Sequence, residues 1–404
     1  MIKSWITAKF LMVSFAAGLL LLISIWLWPV LTTASRSNDQ IAIEFDQALA
    51  TKNLEQARRL ADQYQRQTNS TDDRLPMIQA RLELAFEKDS EALKNLESIP
   101  DQSPFAPTAR QLTGQLYLRA NRLVPAEKAY LDAIRLDPKI VQPRRELIYI
   151  YAIQLRRREL RAIFLELSAI SPMTFQNVFH WCLTRGNDWE PDEIVADMTR
   201  FLKADPQDRW SRIALARSLK RLVKLDEAEK ALEPLAANDP DAIAIKAQIA
   251  IDRNDPEKAR NLLAKGPEDH FDLAVMRAQM ALADGDYKES IRYFKTALKV
   301  DPDNRDAVVG LARALAGQGN KEEAKAWQEK ATKLDKLASL IQEAAKPEAA
   351  SDSTLPKRLA DGCESVGHFA EAKAWWGLIA TRDPLNQEAQ QALYRLGKSG
   401  APAP

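Results

Sequence analysis

The stretch that decides the fold is residues 271–302, which read FDLAVMRAQMALADGDYKESIRYFKTALKVDP. Gly285 lies inside it, where a glycine permits the tight turn between two paired helices. Pro302 follows Asp301 at its end, and proline stops a helix because it lacks a backbone N–H donor. The stretch is therefore typical of one helix-turn-helix unit.

The unit recurs along the chain at a regular interval. The prolines that mark it are 34 residues apart at Pro138, Pro172, Pro206 and Pro240, and recur at Pro302 and Pro384. Eight residues before each proline the chain is apolar, as expected for a side chain that each second helix buries: Tyr130, Phe164, Met198, Leu232, Phe294 and Trp376. Twenty-four residues before each proline the residue is mostly small, which allows two crossing helices to approach each other closely: Gly114, Ile148, Cys182, Ala216, Ala278 and Ala360.

This period and these columns resemble the tetratricopeptide repeat (TPR) family, whose unit is a helix-turn-helix of about 34 residues. The best match is residues 271–302, where the family pattern is met by Ala278, Gly285, Tyr287, Phe294, Ala297 and Pro302. The resemblance implies an all-α fold, a right-handed α-solenoid of about ten helix pairs over residues 38–397, in which each unit stacks on its neighbours.

The chain divides into segments on the same evidence. Residues 346–353 are expected to form a loop, because Ala, Ser, Pro and charged residues replace the periodic apolar ones there. The other expected segments are a short N-terminus at 1–9, a membrane helix at 10–32, divergent TPR-like repeats at 38–102, a central array at 103–345, the last unit with a capping helix at 354–397, and a disordered tail at 398–404.

The N-terminal segment predicts a membrane anchor. Phe10 to Leu31 runs without a charged residue, and at about 1.5 Å per residue a helix of that length spans a hydrocarbon core of about 30 Å. Trp26 and Trp28 suit the membrane interface. The alternative is a cleaved secretory signal, with Thr32 to Ala34 as the small-residue cleavage site.

The orientation of this anchor follows from few charges. Lys3 and Lys9 precede the apolar stretch, whereas Asp39, Glu44 and Asp46 lie among the charges that follow it. The positive-inside rule then places the N-terminus in the cytoplasm and the TPR array outside it, in the periplasm or an equivalent space.

Composition argues against several function classes. The chain has 57 basic and 56 acidic residues, without the basic excess that a nucleic-acid-binding domain normally carries. The three histidines, His180, His270 and His368, fall in different units, and none has a second ligand at metal-binding spacing. We therefore expect no metal, no cofactor, no small-molecule substrate and no enzyme activity.

The two cysteines are expected to be structural. Cys182 and Cys363 fall in first helices about five repeats apart, which in an open solenoid is too far for a disulfide. Both are interpreted as small core residues.

The candidate binding site is the concave groove. In TPR proteins, defined positions of each first helix line that face, and here the resemblance assigns it Arg145, Tyr149, Phe179, Trp210, Arg217, Lys220 and Arg221. The hypothesis is that this basic and aromatic groove receives an extended or helical peptide with acidic side chains or a free C-terminal carboxylate, which arginine can bind bidentately. Alternatively, the basic residues form a solvated helix edge and Trp210 packs on the preceding unit. The lysine and asparagine pairs of carboxylate-clamp TPR proteins are not reproduced.

Two further local features stand out. Aromatic residues gather around one repeat junction, as core packing or as a partner pocket: Phe175, Phe179, Trp181, Trp189 and Trp210. A basic run, Arg156 to Arg158 with Arg161, is expected on the outer edge, where it is solvated or meets anionic lipid.

The function favoured by these observations is a membrane-anchored TPR scaffold that binds protein partners. Resemblance to bacterial single-span TPR proteins suggests assembly of a cell-envelope complex. The alternatives are a regulatory or glycan-associated subunit of an envelope polysaccharide or peptidoglycan enzyme, and an enzyme with an active site in the aromatic cluster.

Overall fold

The computed structural model describes residues 37–68, 72–184, 191–346, 348–349 and 352–398. The predicted membrane helix at residues 10–32 lies outside these ranges, as do three of the eight residues of the predicted loop and all but the first residue of the predicted tail. None of the helices in the described ranges is both long and apolar enough to cross a bilayer.

The described residues form helices joined by turns and short loops and contain no β-strand, which confirms the all-α prediction. They form 21 α-helices: α1 (Asn38–Ala50), α2 (Leu54–Gln67), α3 (Arg74–Ala85), α4 (Asp89–Glu97), α5 (Ala106–Arg119), α6 (Leu123–Leu136), α7 (Gln142–Ile153), α8 (Arg157–Ile170), α9 (Phe175–Leu183), α10 (Pro191–Ala204), α11 (Arg209–Arg221), α12 (Leu225–Leu232), α13 (Pro240–Asp252), α14 (Pro256–Leu263), α15 (Phe271–Ala283), α16 (Tyr287–Val300), α17 (Arg305–Gln318), α18 (Lys321–Ala344), α19 (Leu355–Ser365), α20 (Phe369–Arg382) and α21 (Gln387–Lys398).

Consecutive helices form ten pairs, from α1 with α2 to α19 with α20, and α21 follows the last pair. Nine of the turns inside pairs hold one residue in the left-handed region, which ends the first helix. Glycine occupies three of these positions, including Gly285 with φ 77°. The other six carry side chains: Lys52, Glu87, Asn121, Leu155, Val223 and Asn254. The turn is therefore a property of the repeat, and glycine marks only some of its copies.

The described residues divide into two compact units, with the boundary between Ala109 and Arg110. In the first unit, α1 to α3 enclose an apolar core that includes Ile41, Phe45, Leu60 and Ile78. Tyr64 is also buried there, and its hydroxyl donates a hydrogen bond to the Asp72 carboxylate at 2.8 Å.

In the second unit, the apolar column predicted from the sequence forms the core. All six of its side chains are buried: Tyr130, Phe164, Met198, Leu232, Phe294 and Trp376. A Cβ atom on Gly114 would lie 2.5 Å from the Tyr130 ring, which explains why the partner column is mostly small. One proline departs from the pattern. Pro240 is the first residue of α13, because the second helix before it, α12, already ends at Leu232.

The second unit also folds back on itself, because α9 packs against α18 and α20 as well as against α8. Phe175 of α9 meets Trp375 of α20 edge to face, with ring centroids 5.1 Å apart. Val178 and Cys182 share one buried cluster with Leu355 and Cys363. The expectation that each unit stacks only on its neighbours is therefore wrong for α9.

The reason lies in the composition of α9. Phe175, Val178, Phe179 and Cys182 recur at helical spacing and form one apolar stripe, while Trp181 on another face stacks on Phe164 of α8 at 6.0 Å. A helix that is apolar on several faces has to be covered on each of them. The C-terminal helices cover the stripe.

This packing also changes the environment of the two cysteines. Cys182 and Cys363 are buried thiols, as predicted. They nevertheless lie in one apolar cluster, so the premise that about five repeats of an open solenoid separate them is wrong, although the two thiols are not joined in a disulfide.

Candidate functional site

A cavity of the second unit with many charged side chains has a volume of about 790 Å³, and we call it the basic cavity. It lies between the start of α8, the second half of α11, the first turns of α13 and α15, and the segment after α16. Seven basic and five acidic side chains line it: Arg156, Arg157, Arg158, Arg161, Arg217, Lys220 and Arg221, with Glu159, Asp241, Asp269, Asp272 and Asp301. The lining therefore carries a net positive charge.

Arg156 anchors one wall of the basic cavity. Its guanidinium donates hydrogen bonds to Glu127 at 2.7 and 2.9 Å and to Glu159 at 3.1 Å. It also lies over the rings of Tyr151 and Trp210, with centroid distances of 4.5 and 4.7 Å. Burial alone would lower the pKa of Arg156, but the Glu127 and Glu159 carboxylates raise it above its ordinary value. This arginine is compensated within the protein and acts as part of the wall.

Arg157 differs from its neighbour in its electrostatic surroundings. Burial lowers the pKa of Arg157, and the positive charges of Arg217 and Arg161 lower it further, against the opposing attraction of Asp301 and Asp272. A guanidinium crowded by like charges in this way marks a region of positive potential. An anion placed between these groups would relieve the crowding.

The opposite wall is held by a network around Asp241 at the start of α13. Arg217 donates hydrogen bonds to Asp241 and to Asp272, each at 3.0 Å. Arg209 reaches Asp241 at 2.6 Å, and His270 Nε2 lies 3.6 Å from the same carboxylate. Burial alone would raise the pKa of Asp241, but the nearby His270, the charge of Arg217 and the hydrogen bond from Arg209 lower it well below its usual range. Asp241 therefore stays ionised and orients Arg217 at the cavity.

Two basic side chains extend the lining along α11. Lys220 lies 3.5 Å from the Asp252 carboxylate, so part of its charge is balanced by α13. Arg221 is exposed at the end of the helix, and Arg158 is exposed at the start of α8. These two arginines are the lining cations that solvent and a ligand reach most easily.

Models of the tetratricopeptide repeat match residues 79–139 and residues 281–346. The chain contains tetratricopeptide repeats. The matched segments cover α4, α5 and α6, part of α3, and α16 to α18.

Several solved structures are similar to this chain at low identity. The TPR domain of P58(IPK) is 13% identical, with 82% of this chain and 100% of that chain covered and a TM-score of 0.30. The human IFIT1 dimer with m7Gppp-AAAA is 14% identical, with 91% and 87% covered and a TM-score of 0.35. The human IFIT1 dimer with PPP-AAAA is 15% identical, with 91% and 88% covered and a TM-score of 0.33. No curated protein sequence matches the chain.

The structure brings together four of the seven residues that the TPR resemblance assigned to the groove. Trp210, Arg217, Lys220 and Arg221 all line the basic cavity. Trp210 lies under the guanidiniums of Arg156 and Arg209, the latter 4.4 Å from its ring centroid, and it packs in the apolar cluster of α11 to α13. Its ring is therefore engaged by the protein itself.

The other three assigned residues lie away from this lining. Arg145 and Tyr149 are exposed on α7. Burial raises the pKa of Tyr149, and the charges of Asp197 and Arg200 act on it in opposite directions. Phe179 stacks on Phe175, with centroids 6.3 Å apart, and packs on the C-terminal cluster.

The run from Arg156 to Arg161 corrects the sequence analysis most clearly. It was expected on the outer edge of the array, but all its arginines line the basic cavity. The expectation was wrong because α8 begins immediately after the turn at Leu155, which lines the same cavity. A TPR position pattern restricted to first helices does not include the starts of second helices.

The predicted aromatic cluster is not one cluster. Phe175 and Phe179 face the C-terminal helices, Trp181 packs on α8, and Trp210 packs on α11 to α13. Trp189 lies outside the described residues. In the described ranges, no group of three or more His, Cys, Asp and Glu side chains is arranged to hold a metal ion.

Proposed function

We propose that this protein is a scaffold that binds an acidic segment of a partner protein in the basic cavity. TPR repeats are interaction modules, and the observation that carries the proposal is the surplus of basic side chains around a cavity of about 790 Å³. The expected ligand is a peptide with acidic side chains or a free C-terminal carboxylate. Arg157, Arg161 and Arg217 supply the potential inside, and Arg158 and Arg221 meet the ligand at the surface.

The scaffold is proposed to act from a membrane, with its N-terminus in the cytoplasm and its array outside. The uncharged stretch from Phe10 to Leu31 and the lysines before it support this. An anchored scaffold would concentrate its partners in assembly of a cell-envelope complex, without catalysing a reaction itself. The alternative remains a regulatory or glycan-associated subunit of an envelope polysaccharide or peptidoglycan enzyme.

The binding test uses a fluorescein-labelled hexaglutamate peptide with a free carboxylate, its amidated form and a hexalysine peptide. Fluorescence anisotropy should show binding of the acidic peptides and none of hexalysine. The double variant Arg158→Ala, Arg221→Ala should weaken binding at least about tenfold, since the loss of even one hydrogen bond to a charged group costs about 1.5–3 kcal/mol. The matched control Arg58→Ala, Arg59→Ala changes two exposed arginines of the first unit and should leave the affinity unchanged.

Equal binding by the double variant and the wild-type protein would refute the basic cavity as the site. A pull-down with the full chain then separates the two classes of function. Recovery of a stoichiometric protein supports the scaffold, whereas selective retention of polysaccharide supports the glycan-associated subunit. Protease added to spheroplasts should digest the array, and complete protection would refute the proposed orientation.

A further inference from the structure

A second cavity of the same unit has no part in the proposed function. It has a volume of about 510 Å³ and lies where α8 and the residues after it face α20 and α21. Its walls are mainly apolar and include Leu165, Met173, Phe369, Leu378, Leu393 and Leu396. Small-molecule sites typically have volumes of about 300–1,000 Å³ and apolar walls with few polar groups. This apolar cavity has the size and lining of such a site.

The charged groups at the apolar cavity are only two, and they are not equivalent. Glu166 lies 3.1 Å from the buried guanidinium of Arg144, so its charge is balanced within the protein. Lys373 is exposed at the cavity, and no acidic side chain of the described residues forms an ion pair with it. The cavity therefore combines apolar walls with one uncompensated positive charge.

The backbone of α20 adds an independent observation. Gly377 lies in the interior of this helix, where glycine destabilises by about 0.5–1 kcal/mol relative to alanine. A Cβ atom at Gly377 would meet no other atom within 4 Å, so packing inside the protein does not require glycine here. Gly377 lines the apolar cavity, as do Ala370 and Ala374 on the same face of the helix. These small residues leave open the space into which larger side chains would project.

We propose that the apolar cavity binds the alkyl chain of a single-chain anionic amphiphile, with a fatty acid as the simplest example. The chain lies along the small-residue face of α20, and the carboxylate pairs with Lys373. An apolar body with one anionic group is the chemistry that matches apolar walls and a single lysine. This site was not predictable from the sequence, because its lining comes from two parts of the chain that are separated by about 200 residues.

The test is isothermal titration calorimetry of the full chain with octanoate, decanoate and dodecanoate, each below its critical micelle concentration. Each added methylene should raise the affinity about fourfold, which corresponds to about 0.8 kcal/mol per buried methylene, until the cavity is full. Gly377→Leu should abolish binding while the thermal midpoint is unchanged or raised. Gly397→Leu fills the same cavity from α21 and provides a second blocking variant.

The role of the lysine is tested separately. Lys373→Ala should weaken dodecanoate binding at least tenfold but leave binding of uncharged dodecanol unchanged, and Lys373→Arg should restore the affinity for dodecanoate. Lys325→Ala, an exposed lysine of α18 outside the cavity, is the matched control.

The double variant Arg158→Ala, Arg221→Ala should still bind dodecanoate, which excludes simple attraction of the anion to the basic cavity. The proposal is overturned if no fatty acid binds, if affinity is independent of chain length, or if both glycine variants fold and bind like the wild-type protein. Binding of an apolar peptide without fatty-acid binding would likewise overturn it.

Discussion

The contact between α9 and α20 makes a quantitative prediction about coupling between distant repeats. Trp375 is fully buried, and truncation to alanine should cost about 3–5 kcal/mol of the free energy of unfolding. Phe175 is partly buried, so Phe175→Ala should cost less, about 1–3 kcal/mol. Because the rings meet edge to face at 5.1 Å, the double variant should differ from the sum of the single variants by about 0.5–1.5 kcal/mol.

The assay is a double-mutant cycle, with the free energy of unfolding measured by urea denaturation and far-UV circular dichroism. Trp327 offers a matched control, because it packs in a separate cluster formed by α15 to α18. Phe175→Ala combined with Trp327→Ala should be additive within about 0.5 kcal/mol, as distant sites usually are. Additivity of Phe175→Ala with Trp375→Ala to the same tolerance would refute the packing of α9 on α20, because in an open array these positions do not interact.

Two further predictions concern packing and acid stability. A Cβ atom on Gly310 would overlap the fully buried Phe294 ring, so Gly310→Ala should lower the free energy of unfolding by about 1–3 kcal/mol. Gly377→Ala places its Cβ atom in open space and should not lower the free energy of unfolding. Equal effects of the two variants in urea denaturation would contradict this prediction. Burial would raise the pKa of Asp303, but the hydrogen bond with His368 and the nearby Lys330 lower it below its ordinary range. The ionised carboxylate therefore stabilises the fold above about pH 4, and this contribution is lost as the pH falls through the lowered pKa. Asp303→Asn should lower the free energy of unfolding by about 2 kcal/mol at pH 6, and the difference from the wild-type protein should shrink below pH 4. A constant difference between the thermal midpoints of the two proteins at all pH values would refute this prediction.

The repeat was predictable from the sequence because its signals are local. In the repeat pattern, a proline follows the second helix, and an apolar residue eight positions before it packs within the unit or against the next one. The six side chains of this column, from Tyr130 to Trp376, are buried, which confirms the predicted core positions. Pro240 shows the limit of such signals. The same residue type that ends α16 at Pro302 begins α13, since a proline is tolerated in the first turn of a helix.

The candidate site was only half predictable. Trp210, Arg217, Lys220 and Arg221 were found because they occupy first-helix positions of one repeat. Arg157 and Arg161 were noticed in the sequence but placed outside the groove, because they lie on a second helix. The side chains that face them come from α11, α15 and the segment after α16. The set of side chains that line the basic cavity depends on how the helices of the second unit pack together. This packing cannot be predicted from the sequence of a single repeat. One signal was available: the apolar stripe from Phe175 to Cys182 required a covering surface that the adjacent repeats do not supply.

The anchoring of α9 on α20 has a consequence for how this protein can change over evolutionary time. Repeat proteins commonly grow or shrink by duplication or loss of a whole unit, since each unit needs only its neighbours. Here, adding or deleting a unit between residues 184 and 355 would move Trp375 away from Phe175. The apolar stripe of α9 would then be exposed to water. Natural variants of this chain should therefore keep the number of units in that interval constant, and differences in length should fall outside it.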